Sequence, residues 1–147
     1  MSNSCIKSIL LVCTGNSCRS QMAEGWVRKL KGDILLPYSA GIEKHGIDPK
    51  AVTVMAEVGV DISKQQSKLI SELREKDFDY VVTICNDAHE KCPIFPSKAK
   101  HLHHGFDNPP VLAHKTKSDK EALTIYRRVR DEIKEFVKKM TNNLENE

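Results

Sequence analysis

Cys13-Thr14-Gly15-Asn16-Ser17-Cys18-Arg19, followed by Ser20, sets a thiol and a guanidinium at C-x5-R spacing. A loop of this length can curl its backbone N–H groups around an oxyanion while the positive end of a following helix points into the same cup. Arg19 would grip two oxygens through its planar fork, which a lysine cannot do. Gly15 is expected to relieve the turn, and the hydroxyls of Thr14 and Ser20 can donate to the sulfur. A thiol at a helix N-terminus beside a guanidinium favours its thiolate form. The chemistry this implies is nucleophilic attack by Cys13 on a phosphate-like anion cradled by residues 13–20. Alone, C-x5-R is a weak motif, and the plain alternative is a small buried cysteine that ends a strand. Cys18, within the loop, reads as a buried bystander, and Cys5 as an exposed, incidental thiol.

Cys85 and Cys92 are a second pair, seven residues apart. If 86–92 is helical, they lie about 10.5 Å apart along its axis. A disulfide needs Cα atoms within about 7 Å, so bonding them requires the segment to unwind. Asn86, Asp87 and the boundary at Pro93 leave a short helix that is marginal by itself. Cys85, His89 and Cys92, with His101, His103 and His104, also offer metal-ligand side chains, at a spacing irregular for zinc.

The elements that must position these residues follow from the apolar pattern. Residues 8–12 (SILLV) form a continuous apolar run, as in a strand buried on both faces. Residues 20–30 carry Met22, Ala23, Trp26, Val27 and Leu30 at helical spacing. The run 34–39 contains Pro37 and so belongs at a sheet edge. Asp48 and Pro49 are N-cap and first position of a helix that Gly59 stops. Ser71 is the expected cap of a short third helix. Residues 78–84 (FDYVVTI) form a strand that delivers Cys85 at its carboxyl end, 100–104 a weak fourth strand, and 105–110 a loop. A long amphipathic helix is expected over 118–140, then a polar tail over 141–147 that frays. Alternating strands and helices predict one α/β domain over 1–147, a three-layer sandwich on a four-stranded parallel sheet. Ligands bind such sheets at the carboxyl ends of strands, here beside Cys13, Cys85 and 105–110.

Composition narrows the function classes. With 147 residues, 39% hydrophobic and 29% charged, the chain is neither a membrane protein nor a low-hydrophobicity disordered one. A formal charge of only +3 falls short of a nucleic-acid footprint. The apolar run at 9–13 is too short for a secretory h-region or a membrane span, so a cytoplasmic protein is expected. Five cysteines in such a compartment read as reactive or ligating thiols before they read as static disulfides.

LLVCTGNSCRSQMAEGW resembles the signature of the thioredoxin-coupled arsenate reductases, which share the fold of the low-molecular-weight protein tyrosine phosphatases. The resemblance continues through YSAGIEKHGIDPKAV, VGVDIS, DYVVTICNDAHEKCP, HGFDNPP and YRRVRDEIKEFV. It implies a cytoplasmic monomer that reduces arsenate, with phosphate and sulfate as analogues, thioredoxin as reductant and no tightly bound cofactor. Cys13 would attack arsenate, Cys85 would attack Cys13 to release arsenite, and Cys92 would attack Cys85 to free Cys13, with a weak phosphatase side activity. Asp107 matches the acid of the resembled enzymes and would have to arrive protonated; the plain reading is an aspartate in a turn. Relatives complete a potassium site at positions matching Asn16, Glu24 and Ser39 with an acid where Lys68 stands. Its ammonium is expected to replace the ion, leaving turnover insensitive to potassium. His104 stands where a Trp often precedes Gly-Phe-Asp. The rival readings are a phosphatase of the same fold with regulatory cysteines and the Cys/His metal-binding sensor.

Overall fold

The computed structural model describes residues 6–74, 77–85 and 98–145. β1 (Lys7–Cys13), β2 (Leu35–Gly41), β3 (Tyr80–Thr83) and β4 (Lys100–His103) form one parallel sheet in the order β2-β1-β3-β4. Ile9 to Val12 are fully buried because β1 is an inner strand with a layer on each face. Pro37, which has no N–H for a ladder, sits in the edge strand β2 as expected.

Side chains alternate along β1. Ile9, Leu11 and Cys13 join a core with Met22 and Trp26 of α1 (Arg19–Lys31) and Val129 and Ile133 of α4 (Asp119–Glu145). Leu10 and Val12 pack on the opposite face with Ala40, Leu73, Phe78 and Val81. The period of two therefore turns Cys13 toward the layer that contains α1. Trp26 locks the two long helices together: its indole N–H donates to the Arg130 carbonyl at 3.1 Å and Lys134 lies 5.3 Å over its ring. In α2 (Pro49–Glu57), the Asp48 side chain caps the Lys50 N–H at 3.0 Å. Gly59 follows the helix with φ +81°, a conformation that glycine adopts without strain.

Three details differ from the sequence expectations. The helix expected from Ser71 is a single 3-10 turn, Ile70–Glu72, entered from Leu69; the Glu72 carboxylate accepts the Leu69 N–H at 2.9 Å, a local contact that closes one turn only. The loop at 105–110 runs into a short helix α3 (Pro109–Ala113), with Pro109 where a prolyl residue costs no hydrogen bond. The backbone stays helical past Met140 to Glu145, since 141–145 contains neither Gly nor Pro to stop it. No helix among the described residues is long and apolar enough to cross a membrane.

Candidate active site

The cradle at 14–18 is held from outside by its carbonyls. Thr14 O accepts from the Glu43 N–H (2.9 Å), Gly15 O from His45 (3.1 Å) and Ser17 O from Asp48 (3.1 Å), while Asn16 O accepts from the Gln21 side chain (3.0 Å). Among the described residues all peptide bonds are trans, and in a planar trans peptide the N–H points opposite to the preceding carbonyl. Carbonyls turned outward therefore aim the amides of Gly15 to Cys18 into the cup, where the N-terminus of α1 also points. The residue that takes the left-handed turn is Asn16 (φ +47°), not Gly15. Gly15 serves a different need: a Cβ there would lie 2.5 Å from His45 Nδ1. Gly41 is tighter still, since its Cβ would meet three main-chain atoms, Thr14 O at 2.5 Å and Asn16 N and Cys13 O at 2.9 Å. Backbone cannot rotate aside, so Gly41→Ala should destabilise the protein by about 1–3 kcal/mol, read as a lower urea midpoint with an unchanged m-value.

Cys13 is buried, and its sulfur lies 2.9 Å from Ser20 Oγ. The Asn16 amide donates to that same oxygen at 2.8 Å, which orients the hydroxyl so that its proton is available to the sulfur. Cys18 is a free, buried thiol, as expected. Burial and then the Asp48 charge push its ionisation well up, so it stays neutral beside Cys13. The same Asp48 accepts from the Tyr126 hydroxyl at 2.5 Å; burial first, and this bond second, raise the phenol's ionisation too.

Arg19 is 2% exposed, and its Nη1 donates to the Phe106 carbonyl at 3.2 Å, which ties the cradle to the loop that carries Asp107. Cys13, Thr14, Ser17 and Arg19 line one cavity of about 590 Å³, walled by His45, Ile47, Pro49, Pro110, Val111 and His114. Among the described residues its walls hold no Phe, Tyr or Trp. β3 ends beside β1: Ile84 N–H donates to Val12 O at 2.9 Å, so Cys85 and Cys13 follow adjacent positions on neighbouring strands, which run about 4.8 Å apart. Cys85 is buried and disulfide-bonded, and neither Cys13 nor Cys18, both free, is its partner. Cys5, His89 and Cys92, and with them the expected 86–92 segment, lie outside the described residues. The structure thus brings together Cys13, Arg19 and the end of β3; Asp107 faces elsewhere.

The oxygens at the positions matching a potassium site are already hydrogen-bonded. Asn16 Oδ1 accepts the Lys68 N–H at 2.6 Å, and the two Glu24 oxygens take Ser39 Oγ (2.5 Å) and Arg28 Nη2 (2.7 Å). Each oxygen already faces a donor. The Lys68 ammonium does not replace the ion, as its Nζ donates to the Gln66 carbonyl at 3.2 Å; the cation on Glu24 is Arg28, one helical turn away. Exchanging potassium for choline at constant ionic strength should leave arsenate turnover within about twofold, since an i,i+4 arginine is covalently part of the site. Among the described residues, no His, Cys, Asp and Glu side chains converge as the metal reading requires. The His103 ring lies 2.7 Å from Thr83 Oγ1, and the His104 ring stacks on Phe106 at 4.5 Å.

The low molecular weight phosphotyrosine protein phosphatase family matches residues 8–147. The chain belongs to this family. Its C-x5-R cradle, buried arginine and parallel sheet therefore sit in a phosphatase scaffold. A protein from Bacillus licheniformis named arsenate reductase is 50% identical over 133 residues, covering 90% of this chain and 94% of that one. The solved structure of an arsenate reductase in the phosphate binding state superposes with a TM-score of 0.76 at 30% identity, over 95% of this chain and 99% of that one. A low molecular weight protein tyrosine phosphatase from T. tengcongensis aligns with a TM-score of 0.70 at 25% identity, over 94% and 99% of the two chains. The scaffold is thus common to proteins of both names. Two features escaped sequence reasoning. The 43–48 strap shows no motif, whereas Gly41 at the end of a strand is a signal of close backbone approach.

Proposed function

We propose that this protein reduces arsenate to arsenite by a thiol relay. The observation that carries this reading is the second buried cysteine, Cys85, at the strand end next to Cys13; hydrolysis of a phosphoester has no use for it. Cys13 thiolate attacks arsenic, and an As–S bond forms as an As–O bond breaks, the leaving oxygen taking a proton from Asp107. Cys85 thiolate then attacks the Cys13 sulfur. The S–S bond forms, the As–S electron pair stays on arsenic, and arsenic falls from the +5 to the +3 state while two thiols are oxidised. Cys92 attacks Cys85, Cys13 leaves as thiolate, and the Cys85–Cys92 disulfide is reduced by the dithiol of thioredoxin. A disulfide at Cys85 that spares Cys13 fits the last state of this cycle. The cradle would bind phosphate and sulfate as well, since backbone amides and a guanidinium read charge and shape.

The phosphatase reading stands second. Cys13, Arg19 and Asp107 suffice for phosphomonoester hydrolysis, but among the described residues the cavity walls offer an aryl phosphate no Phe, Tyr or Trp to stack on. Weak hydrolysis is the expected side activity. The deciding experiment is arsenate-dependent NADPH oxidation with thioredoxin and thioredoxin reductase, with arsenite measured as product. One arsenite per NADPH supports the relay; no turnover alongside efficient p-nitrophenyl phosphate hydrolysis replaces it with the phosphatase.

A further inference from the structure

Asp107 is turned away from the anion cavity. Its neighbours Asn108 and Pro110 line that cavity, yet among the described residues Asp107 lines a separate groove of about 820 Å³ along α4, against Phe106 and Phe136. There Arg128 Nη2 donates to Asp107 Oδ2 at 3.0 Å, and Arg128 Nη1 donates to Glu132 at 3.1 Å. Asp107 and Arg128 are 46% and 45% exposed, a setting in which solvent screens an ion pair and leaves it easily broken. The adjacent main chain is fixed by contrast, because the Phe106 carbonyl is held by the buried guanidinium of Arg19. The side chain of the acid is thus held weakly on one face while its backbone is anchored at the other. Glu132, one turn along α4, keeps the guanidinium in place when Asp107 leaves.

We propose that Arg128 is a positioning residue that parks Asp107 outside the cup, and that an oxyanion in the cup draws the carboxyl inward together with a proton. This rests on the assignment of Asp107 as the acid. While paired with Arg128, the carboxylate only accepts hydrogen bonds. An oxyanion in the cup repels a carboxylate but accepts a hydrogen bond from a carboxylic acid, so the side chain turns in only after taking a proton from solvent.

The test has two arms. In arsenate turnover, Arg128→Gln should raise kcat/KM by up to about fivefold, the ceiling set by an exposed pair, while Arg128→Lys, which keeps the charge, stays near wild type. In an Asp107→Asn background Arg128→Gln should change nothing. In 13C NMR of the Asp107 carboxyl, saturating inorganic phosphate should move the wild-type resonance toward that of a protonated carboxyl, and Arg128→Gln should need less phosphate for the same shift. A lower kcat/KM in Arg128→Gln, or an equal effect of that substitution in the Asp107→Asn background, would overturn the proposal. So would an Asp107 resonance indifferent to both phosphate and the substitution. A wild type without arsenate turnover would sink the functional reading, and the NMR arm would still decide whether Arg128 parks the carboxyl.

Discussion

Cys85→Ser is expected to abolish arsenate turnover while leaving p-nitrophenyl phosphate hydrolysis within about twofold, whereas Cys13→Ser abolishes both. Cys13 supplies the bond to the anion in either reaction, and loss of a nucleophile that works with its cradle as one unit costs at least on the order of 10³-fold. In the proposed relay Cys85 enters only after that bond exists, at the moment when arsenic has to accept two electrons. Its replacement stops the cycle at the Cys13–arsenic adduct, so arsenic should co-purify with Cys85→Ser at up to one equivalent after exposure to arsenate. Mass spectrometry of the intact protein reads the adduct, and urea unfolding shows whether a lost activity is a lost fold. Hydroxyls at both positions are near-isosteric with the thiols, so each variant keeps the packing of its strand end. Equal loss of both activities in Cys85→Ser would show that it supports the cup mechanically and carries no electrons.

The second large effect belongs to Arg19. Arg19→Lys should lower kcat/KM for arsenate by about 10²–10³-fold, the cost of removing a preorganised donor from an oxyanion site. Lysine keeps the charge but offers a compact ammonium in place of the fork. It also cannot hold an anion and the Phe106 carbonyl in one plane, so the loop at 105–110 loses its tie to the cradle. Because the side chain is 2% exposed, the variant buries an ammonium with fewer partners and should also melt earlier. Recovery of activity by added guanidinium in Arg19→Ala would separate the chemical role from the mechanical one; no recovery at any concentration would point to packing.

Much of this was legible in the residues. The run at 9–12 marked an inner parallel strand because burial on two faces leaves no room for polar alternation, and Pro37 marked the edge because it has no N–H to give. The Asp48-Pro49 start of α2 was readable because capping is a local interaction of three residues. The contacts that define the cup were not local. The strap at 43–48 holds the cradle through main-chain N–H groups, which every residue except proline carries. That Arg28 and not Lys68 pairs with Glu24 depends on which side chain reaches a buried carboxylate, which sequence reasoning did not foresee. The turn of Asp107 toward Arg128 depends on α4 passing beside a loop 21 residues earlier in the chain.

The strapped cradle also decides where selectivity can arise. Amides fixed before any ligand arrives impose almost no ordering cost on binding, and they answer to tetrahedral shape and charge, which phosphate shares with arsenate. Wherever phosphate exceeds arsenate, the cup is filled mostly by an anion that the proposed relay cannot reduce. Discrimination then passes from recognition to reactivity: only arsenic can take an electron pair from a thiol and leave in a lower oxidation state. Phosphate becomes a reversible plug over the reactive sulfur, protecting it between encounters, and the rate of the proposed reduction would be governed by the ratio of the two anions and not by arsenate alone.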